Sequence, residues 1–447
     1  MKSILHQLIF LMQTTLQALG ADCTPLQIER LCVTIHRAMN SEARQFHNIE
    51  HVLSFWNAQN PIQSLAAMYH DIVYYQVDRG LDPEVAEALS PYLQEHDGEM
   101  CIVGELAEAD AMLHMVMCVF GVEKQRICTM SSGLNEFLSA LYMVKKLEGV
   151  LSPVDLMRLT ACIEASIPFR SAVDGVSPFE LLTGRLVRLD EQMQLGMGTM
   201  GVEQTVHLAV GFANQDVASF AAADVSSFLG DTWKLLPETN VPLRSPDVYT
   251  VVDYRRALQR METFTRLLNP QCVFHTYRGV PPSEIYTPLE EQARRNLEIA
   301  TEYLQVKLLT VGILEALAEI SGGDAPISLF TGDTNAVEGQ RIEDWLPEMN
   351  DLMPLGWRSP EVVRLLQAGR GGTSEFDVGP SPVSLFWYRS LSKEQFRASF
   401  LTVQQFFNRL LTARAFLKSL DADLLRTTIW SVAAMATTRR DALMDFD

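Results

Sequence analysis

The phrase Phe46-His47-Asn48-Ile49-Glu50-His51 is followed a short way along the chain by Tyr69-His70-Asp71. Together they gather imidazoles and a carboxylate into one short window, whereas His6, His36, His96, His114, His207 and His275 stand singly. An adjacent His-Asp pair among Ala66, Ala67, Met68, Ile72 and Val73 is costly to bury unless something offsets the carboxylate charge. A divalent cation is a strong partner for it. Imidazole and carboxylate donors suit Zn, Fe, Ni or Mn, and further oxygen donors shift the preference toward harder ions such as Mg.

Helices must position these groups. His47 and His51 have the spacing that, on a helix, puts two rings on one face about one turn apart, with Arg44 at a neighbouring position. Pro61 stands where a first helical turn tolerates proline, and Leu65, Ala66, Met68, Tyr69 and Ile72 continue an apolar stripe through the His-Asp pair. Similar stripes occur at Leu5, Leu8, Ile9 and Met12, and at Leu26, Ile28, Leu31, Ile35 and Met39. Alternating strand patterns are scarce, and the chain reads as all-α. Residues 1–235 read as a first, metal-binding helical domain, and about its first 175 residues hold every motif with recognisable chemistry. Residues 236–447 form a mainly helical C-terminal region of unassigned role, turn-rich at 240–247 and rich in Gly, Pro, Asp and Ser from 324 to 390.

At 447 residues the chain exceeds a typical single core, which agrees with two such regions. Its 36 Lys and Arg against 55 Asp and Glu give a net charge of -19, which opposes binding to nucleic-acid polymers and to anionic membranes. A small phosphorylated substrate is compatible with that charge, because a bound cation reverses the local field. The 7 cysteines form no CxxC pair and read as reduced thiols of a cytoplasmic protein. The apolar N-terminus is interrupted by His6, Gln7 and Gln13 and reads as an amphipathic helix. Amphipathic helices in the last third suit an isologous homodimer contact.

The order His51, His70-Asp71 and a later acid resembles the H…HD…D pattern of the HD-domain superfamily of metal-dependent phosphohydrolases. The stretch from Phe46 to His51 is similar to the Tyr-His-Asn-x-x-His phrase of cyclic-nucleotide phosphodiesterases, with Phe46 in place of tyrosine. It also resembles the Arg-x-Tyr-His-x-x-x-His phrase of uncharacterised bacterial HD hydrolases, to which Arg44 and Asn135-Glu136-Phe137-Leu138-Ser139-Ala140 add further likeness.

The resemblance implies an HD-type helical bundle at the N-terminus with a divalent metal ion held by His51, His70 and Asp71. It implies hydrolysis of a phosphomonoester or phosphodiester, of the nucleotide class, by metal-activated water. His47 would act as general acid on the leaving oxygen, Glu136 would hold water or orient a ligand, and Arg170 would meet the substrate phosphate. The fourth ligand is expected at Glu164, because Cys162-Ile163-Glu164-Ala165-Ser166-Ile167-Pro168 resembles the Cys-Ala-Asp-Leu-Ser-Asn-Pro phrase of the phosphodiesterases. Asp216 is the runner-up. A degenerate HD module serving as ligand sensor or scaffold is the alternative, and a di-iron oxidative enzyme is a third reading.

Other tempting clusters have simpler readings. Glu95-His96-Asp97-Gly98-Glu99 reads as a solvated helix end stopped at Gly98, in preference to a second metal site. The run Gly369 to Gly372 lacks the Lys-Ser/Thr of a phosphate-binding loop and reads as a flexible connection. Phe386-Trp387-Tyr388 fits helix packing better than base stacking.

Overall fold

The computed structural model describes residues 3–96, 99–102, 110–122, 133–246, 248–332, 341–347, 356–372, 376–377 and 379–446. Among these the chain is all-α apart from one short antiparallel hairpin, β1 (Leu93–His96) and β2 (Glu99–Ile102), with Leu93 opposite Ile102. The Glu95 to Glu99 cluster therefore lies on a hairpin and not at a helix end. Glu95 and His96 are in β1 and Glu99 in β2, while Asp97 and Gly98 lie outside the described residues. No helix among the described residues is long and apolar enough to cross a membrane.

The chain divides into two compact units. The first comprises residues 1–218 and 269–291, and the second 219–268 and 292–447. The border expected at 235 thus falls at 218, and a later segment returns to the first unit.

The first unit contains α1 (Ile4–Ala18), α2 (Pro25–Met39), α3 (Ile49–Ser54), α4 (Pro61–His70), α5 (Tyr75–Asp78), α6 (Pro83–Leu89), α7 (Ala111–Phe120), α8 (Leu134–Leu147), α9 (Pro153–Ala165), α10 (Pro178–Met193) and α11 (Gly198–Asp216). Helix starts follow the chain chemistry. Pro occupies the first turn of α2, α4, α6, α9 and α10, and Thr24, Asn60, Asp82, Ser152 and Ser177 supply capping oxygens to the backbone amides left open there. The core centres on α9, whose residues from Leu159 to Ala165 are all buried and which packs against α4, α7, α8 and α11. Each large aliphatic side chain buried there contributes about 1.5–3 kcal/mol relative to exposure.

The second unit contains α12 (Val225–Thr239), α13 (Val251–Leu267), the part of α14 (Ser283–Ser321) from residue 292, α15 (Ser328–Thr331), α16 (Pro360–Ala368), α17 (Pro382–Ser390), α18 (Lys393–Phe407), α19 (Ala413–Lys418), α20 (Ala422–Met435) and α21 (Arg440–Met444). Phe386, Trp387 and Tyr388 are buried in α17, as packing residues should be. The glycine run is not a flexible connection. The Gly371 amide donates to the Ser226 carbonyl at 2.7 Å, and a Cβ on Gly230 of α12 would sit 1.9 Å from the Gly371 oxygen. Two backbones meet there without side chains between them, which only glycine allows.

Candidate metal centre

Three helix ends bring the chemistry together. Asn48 caps α3: its Oδ1 accepts from the Glu50 and His51 amides at 3.0 and 3.2 Å, and its Nδ2 donates to the Gln45 carbonyl at 2.9 Å. This sets His51 in the first turn of α3. His47 precedes the cap and lies outside the helix, so the expected one-face helical pair is not formed, although the two rings remain close at 6.0 Å between centroids. Asparagine at the cap favours ending the helix there, because its side chain satisfies amides that a longer helix would have to pair itself.

His70 is the last residue of α4 and Asp71 its C-cap, while Asp216 is the last residue of α11. Helix C-termini carry partial negative charge, so the ends of α4 and α11 reinforce a site for a cation. The two helices also pack together, and the Gln63 Nε2 donates to the Leu208 carbonyl at 2.7 Å.

The donors converge. His51 Nε2 lies 3.4 Å from Asp216 Oδ1 and 3.9 Å from Asp71 Oδ2, and His70 Nε2 lies 3.6 and 2.9 Å from the same two oxygens. An ion about 2.1 Å from each donor spaces tetrahedral neighbours by about 3.4 Å and octahedral neighbours by about 3.0 Å, so these edges fit one shared cation. His51 Nε2, His70 Nε2 and Asp71 Oδ2 are buried and make no well-aligned hydrogen bond, although His70 Nε2 and Asp71 Oδ2 approach one another as an ion pair. Buried polar atoms are rarely left so, and three of them facing one another mark a position for a charged ligand. Among the described residues, His51, His70 and Asp216 form the group able to hold a metal ion, with one ligand atom each within 4.8 Å of the others.

Surrounding residues orient the donors. The Ala67 carbonyl accepts from His70 Nδ1 at 2.9 Å, which turns Nε2 toward the carboxylates. Phe55 and Phe212 flank the His70 ring at 5.6 and 5.5 Å and form an apolar wall behind it. Arg44 is buried and spans both motif loops. It donates to the Asp71, Ile72 and His47 carbonyls and pairs with the Asp78 carboxylate at 2.6 Å. The Asn135 and Ser139 side chains accept from the Tyr75 and Val73 amides at 3.1 Å each, so this phrase on α8 pins the loop that follows Asp71. Sequence reading missed those tethering roles; the polar residues at one-turn spacing in an otherwise apolar helix were the available signal.

Charge coupling is strong. Burial pushes the His70 imidazole down, but the carboxylates of Asp71 and Asp216 outweigh it and hold its pKa well above the usual range. Burial likewise opposes ionisation of Asp71 and Asp216, yet the facing imidazoles hold both carboxyls below their ordinary value. Glu136, in the first turn of α8, is pushed up to about 7, first by desolvation and then by the negative charges of Asp71 and Asp216. The carbonyl of Ala67, and not Glu136, orients His70.

Glu164 is placed elsewhere. It is buried on α9, and its Oε1 pairs with Arg170 and Arg185 at 2.6 Å each. Two guanidiniums satisfy this carboxylate, and the later acid that faces the two imidazoles is Asp216 and not Glu164. Arg170 is accordingly engaged with Glu164 through both guanidinium nitrogens and with the Glu164 carbonyl, a helix-end clamp in place of the expected phosphate contact. The usable signal for Asp216 was its aspartate identity at the end of the buried stripe Val202, Val206, Ala209, Val210 and Ala213. No family model, curated protein or solved structure matches the chain.

Proposed function

We propose that the first unit is an HD-type, metal-dependent phosphohydrolase acting on a small phosphoester of the nucleotide class. The observation that carries this reading is the convergence of two imidazole nitrogens and two carboxylate oxygens, three of the four without a well-aligned hydrogen bond. With Asp216 as the last donor, the chain order His51, His70-Asp71, Asp216 retains the aspartate of the H…HD…D pattern, which Glu164 would have replaced. A divalent cation held by these donors supplies Lewis acidity toward a phosphoryl oxygen and toward the attacking water.

The protein's own groups do the rest. The Ala67 carbonyl and Arg44 fix the His70 ring and the Asp71 backbone, so donor geometry is set before the ion arrives. Phe55 and Phe212 keep water from the back of the site. His47, outside α3 and 4.7 Å from the Tyr74 ring, delivers a proton from its imidazolium N–H to the leaving oxygen. A cation bound here would displace the proton that the carboxylates hold on His70, so metal affinity would rise with pH up through the raised folded-state pKa of that imidazole.

The test is metal analysis with turnover. Purified protein is expected to bind one or more equivalents of divalent metal, and His51→Ala and Asp216→Ala to lower affinity by about tenfold or more. Hydrolysis of an aryl phosphomonoester or phosphodiester should depend on that metal, and His47→Ala should reduce turnover about a hundredfold while retaining it. Metal binding that is indifferent to both ligand variants would end this reading. Stoichiometric metal without turnover on either ester would convert the site to a binding module.

A further inference from the structure

The second unit holds a pocket of about 110 Å³ that the phosphohydrolase reading does not use. Its floor is a face of α14 on which Lys307, Thr310, Val311 and Leu314 recur at one-turn spacing. Lys307 is buried, an expensive position for an ammonium unless its charge is used. Its Nζ donates to Ser381 Oγ at 3.0 Å and lies 3.5 Å from Asp377 Oδ2. The rings of Trp233, Tyr254 and Tyr303 surround it at 5.2 to 5.8 Å. These π-faces stabilise a cation in place and keep it from leaving.

Asp377 Oδ2 is shared. It also accepts from Arg370, Tyr254 and Trp233 at 3.0, 2.8 and 2.9 Å. Two buried cations thus face the one Asp377 carboxylate, which leaves the cluster with an excess positive charge; Lys307 and Asp377 both line the pocket, as do Arg341 and Glu343, which offset each other at 3.8 Å. The hydroxyls of Thr310 and Ser384, 2.6 Å apart, line the pocket alongside Ser381. The lining also includes the apolar side chains of Val311, Leu314, Ile327, Ile342 and Val383. A dry cavity of roughly 150 Å³ admits benzene, so this pocket holds a ligand of about that size or smaller.

We infer that this pocket binds a small organic carboxylate, with its head on the Lys307 ammonium and neighbouring hydroxyls and a short apolar body against Val311, Leu314 and Val383. A charge-assisted hydrogen bond in a desolvated site gives the head its affinity, and burial of the tail gives preference over a bare anion. Inorganic phosphate offers the head without the tail and fits less well.

Calorimetric titration of the full-length protein in chelator, with acetate, butyrate, benzoate and inorganic phosphate, tests this. Butyrate should bind saturably with one site in the micromolar to low-millimolar range, about tenfold tighter than acetate or phosphate, and tighter than benzoate, which exceeds the size of the pocket. Lys307→Met should weaken binding about tenfold or more, and Val383→Phe should do so by filling the pocket while leaving the ammonium in place. Melting curves check that each variant is folded. Hydrogen exchange on the unaltered protein supplies a readout without substitution: butyrate should slow exchange in 307–314 and 380–384. No saturable carboxylate binding, phosphate binding as tight as butyrate, binding unchanged in a folded Lys307→Met, or protection elsewhere would each overturn the inference.

Discussion

Glu136 carries a carboxyl whose ionisation is set by burial and by the neighbouring charges of Asp71 and Asp216. In metal-free protein its carboxyl stands at about 7 against an ordinary 4.5, because burial and the charges of Asp71 and Asp216 disfavour the anion. A raised folded-state pKa contributes stability that is fully present below the unfolded value and is lost as pH rises through the folded one. Glutamine carries no such titration. In chelator, Glu136→Gln should therefore raise unfolding free energy by about 1–3 kcal/mol at pH 8 and by less than about 1 kcal/mol at pH 5. Denaturant melts at the two pH values measure this, and an equal effect at both would refute the assigned origin of the shift. His70 obeys the same sign rule. Its raised pKa favours the metal-free fold at low pH, while the depressed carboxyls of Asp71 and Asp216 lose their contribution as pH falls through their folded values.

Helix ends decide which carboxylate faces the site. Asp216 emerges at the C-terminus of α11 beside the end of α4, whereas Glu164 points from α9 toward Arg170 and Arg185. Removing one partner of a buried charge group costs about 3–5 kcal/mol, so Glu164→Ala should be strongly destabilised. Its metal stoichiometry should nonetheless match the unaltered protein when measured below its melting temperature. Loss of metal from folded Glu164→Ala would return Glu164 to the ligand set. Within the second unit, Gly312 of α14 plays a comparable packing role: a Cβ there would sit 2.2 Å from Val403 Cγ2 of α18, and glycine's helix penalty of about 1 kcal/mol is accepted for that close approach.

At the scale of the molecule, the return of residues 269–291 to the first unit links a distant part of the chain to the end of α11 that carries Asp216. Asn214, one half-turn before Asp216, exchanges two hydrogen bonds of 2.8 Å with the His275 backbone, and Tyr277 joins the core and bonds Thr183 at 2.9 Å. Burial first, and the charge of Arg170 second, push the His275 imidazole down to about 4, so it acts as a neutral packing group. Asn214→Ala should lower stability by about 1–3 kcal/mol and weaken metal affinity about tenfold, since the end of α11 loses its anchor. Competition with a chromophoric chelator reads that affinity. A folded variant with unchanged affinity would show that the returning segment stabilises the unit without positioning Asp216.

Much of this was legible along the chain. Apolar stripes with helical period, proline in first turns and capping side chains are local signals, and they determined the all-α architecture. His51 and His70-Asp71 were recognisable because their types are chemically suited and they lie close in sequence. The partner of that group was not legible. Glu164 and Asp216 are both helix-borne carboxylates among apolar residues, and their local text does not say which faces imidazoles and which faces guanidiniums. That choice depends on how α9 and α11 pack and on charges from α10 and beyond. Likewise Lys307 reads as an ordinary helix lysine until Trp233, Tyr254 and Asp377, far apart in sequence, close around it. Backbone preference is set by neighbours in the chain, whereas electrostatic environment is set by neighbours in space, and only the tertiary structure decided the second.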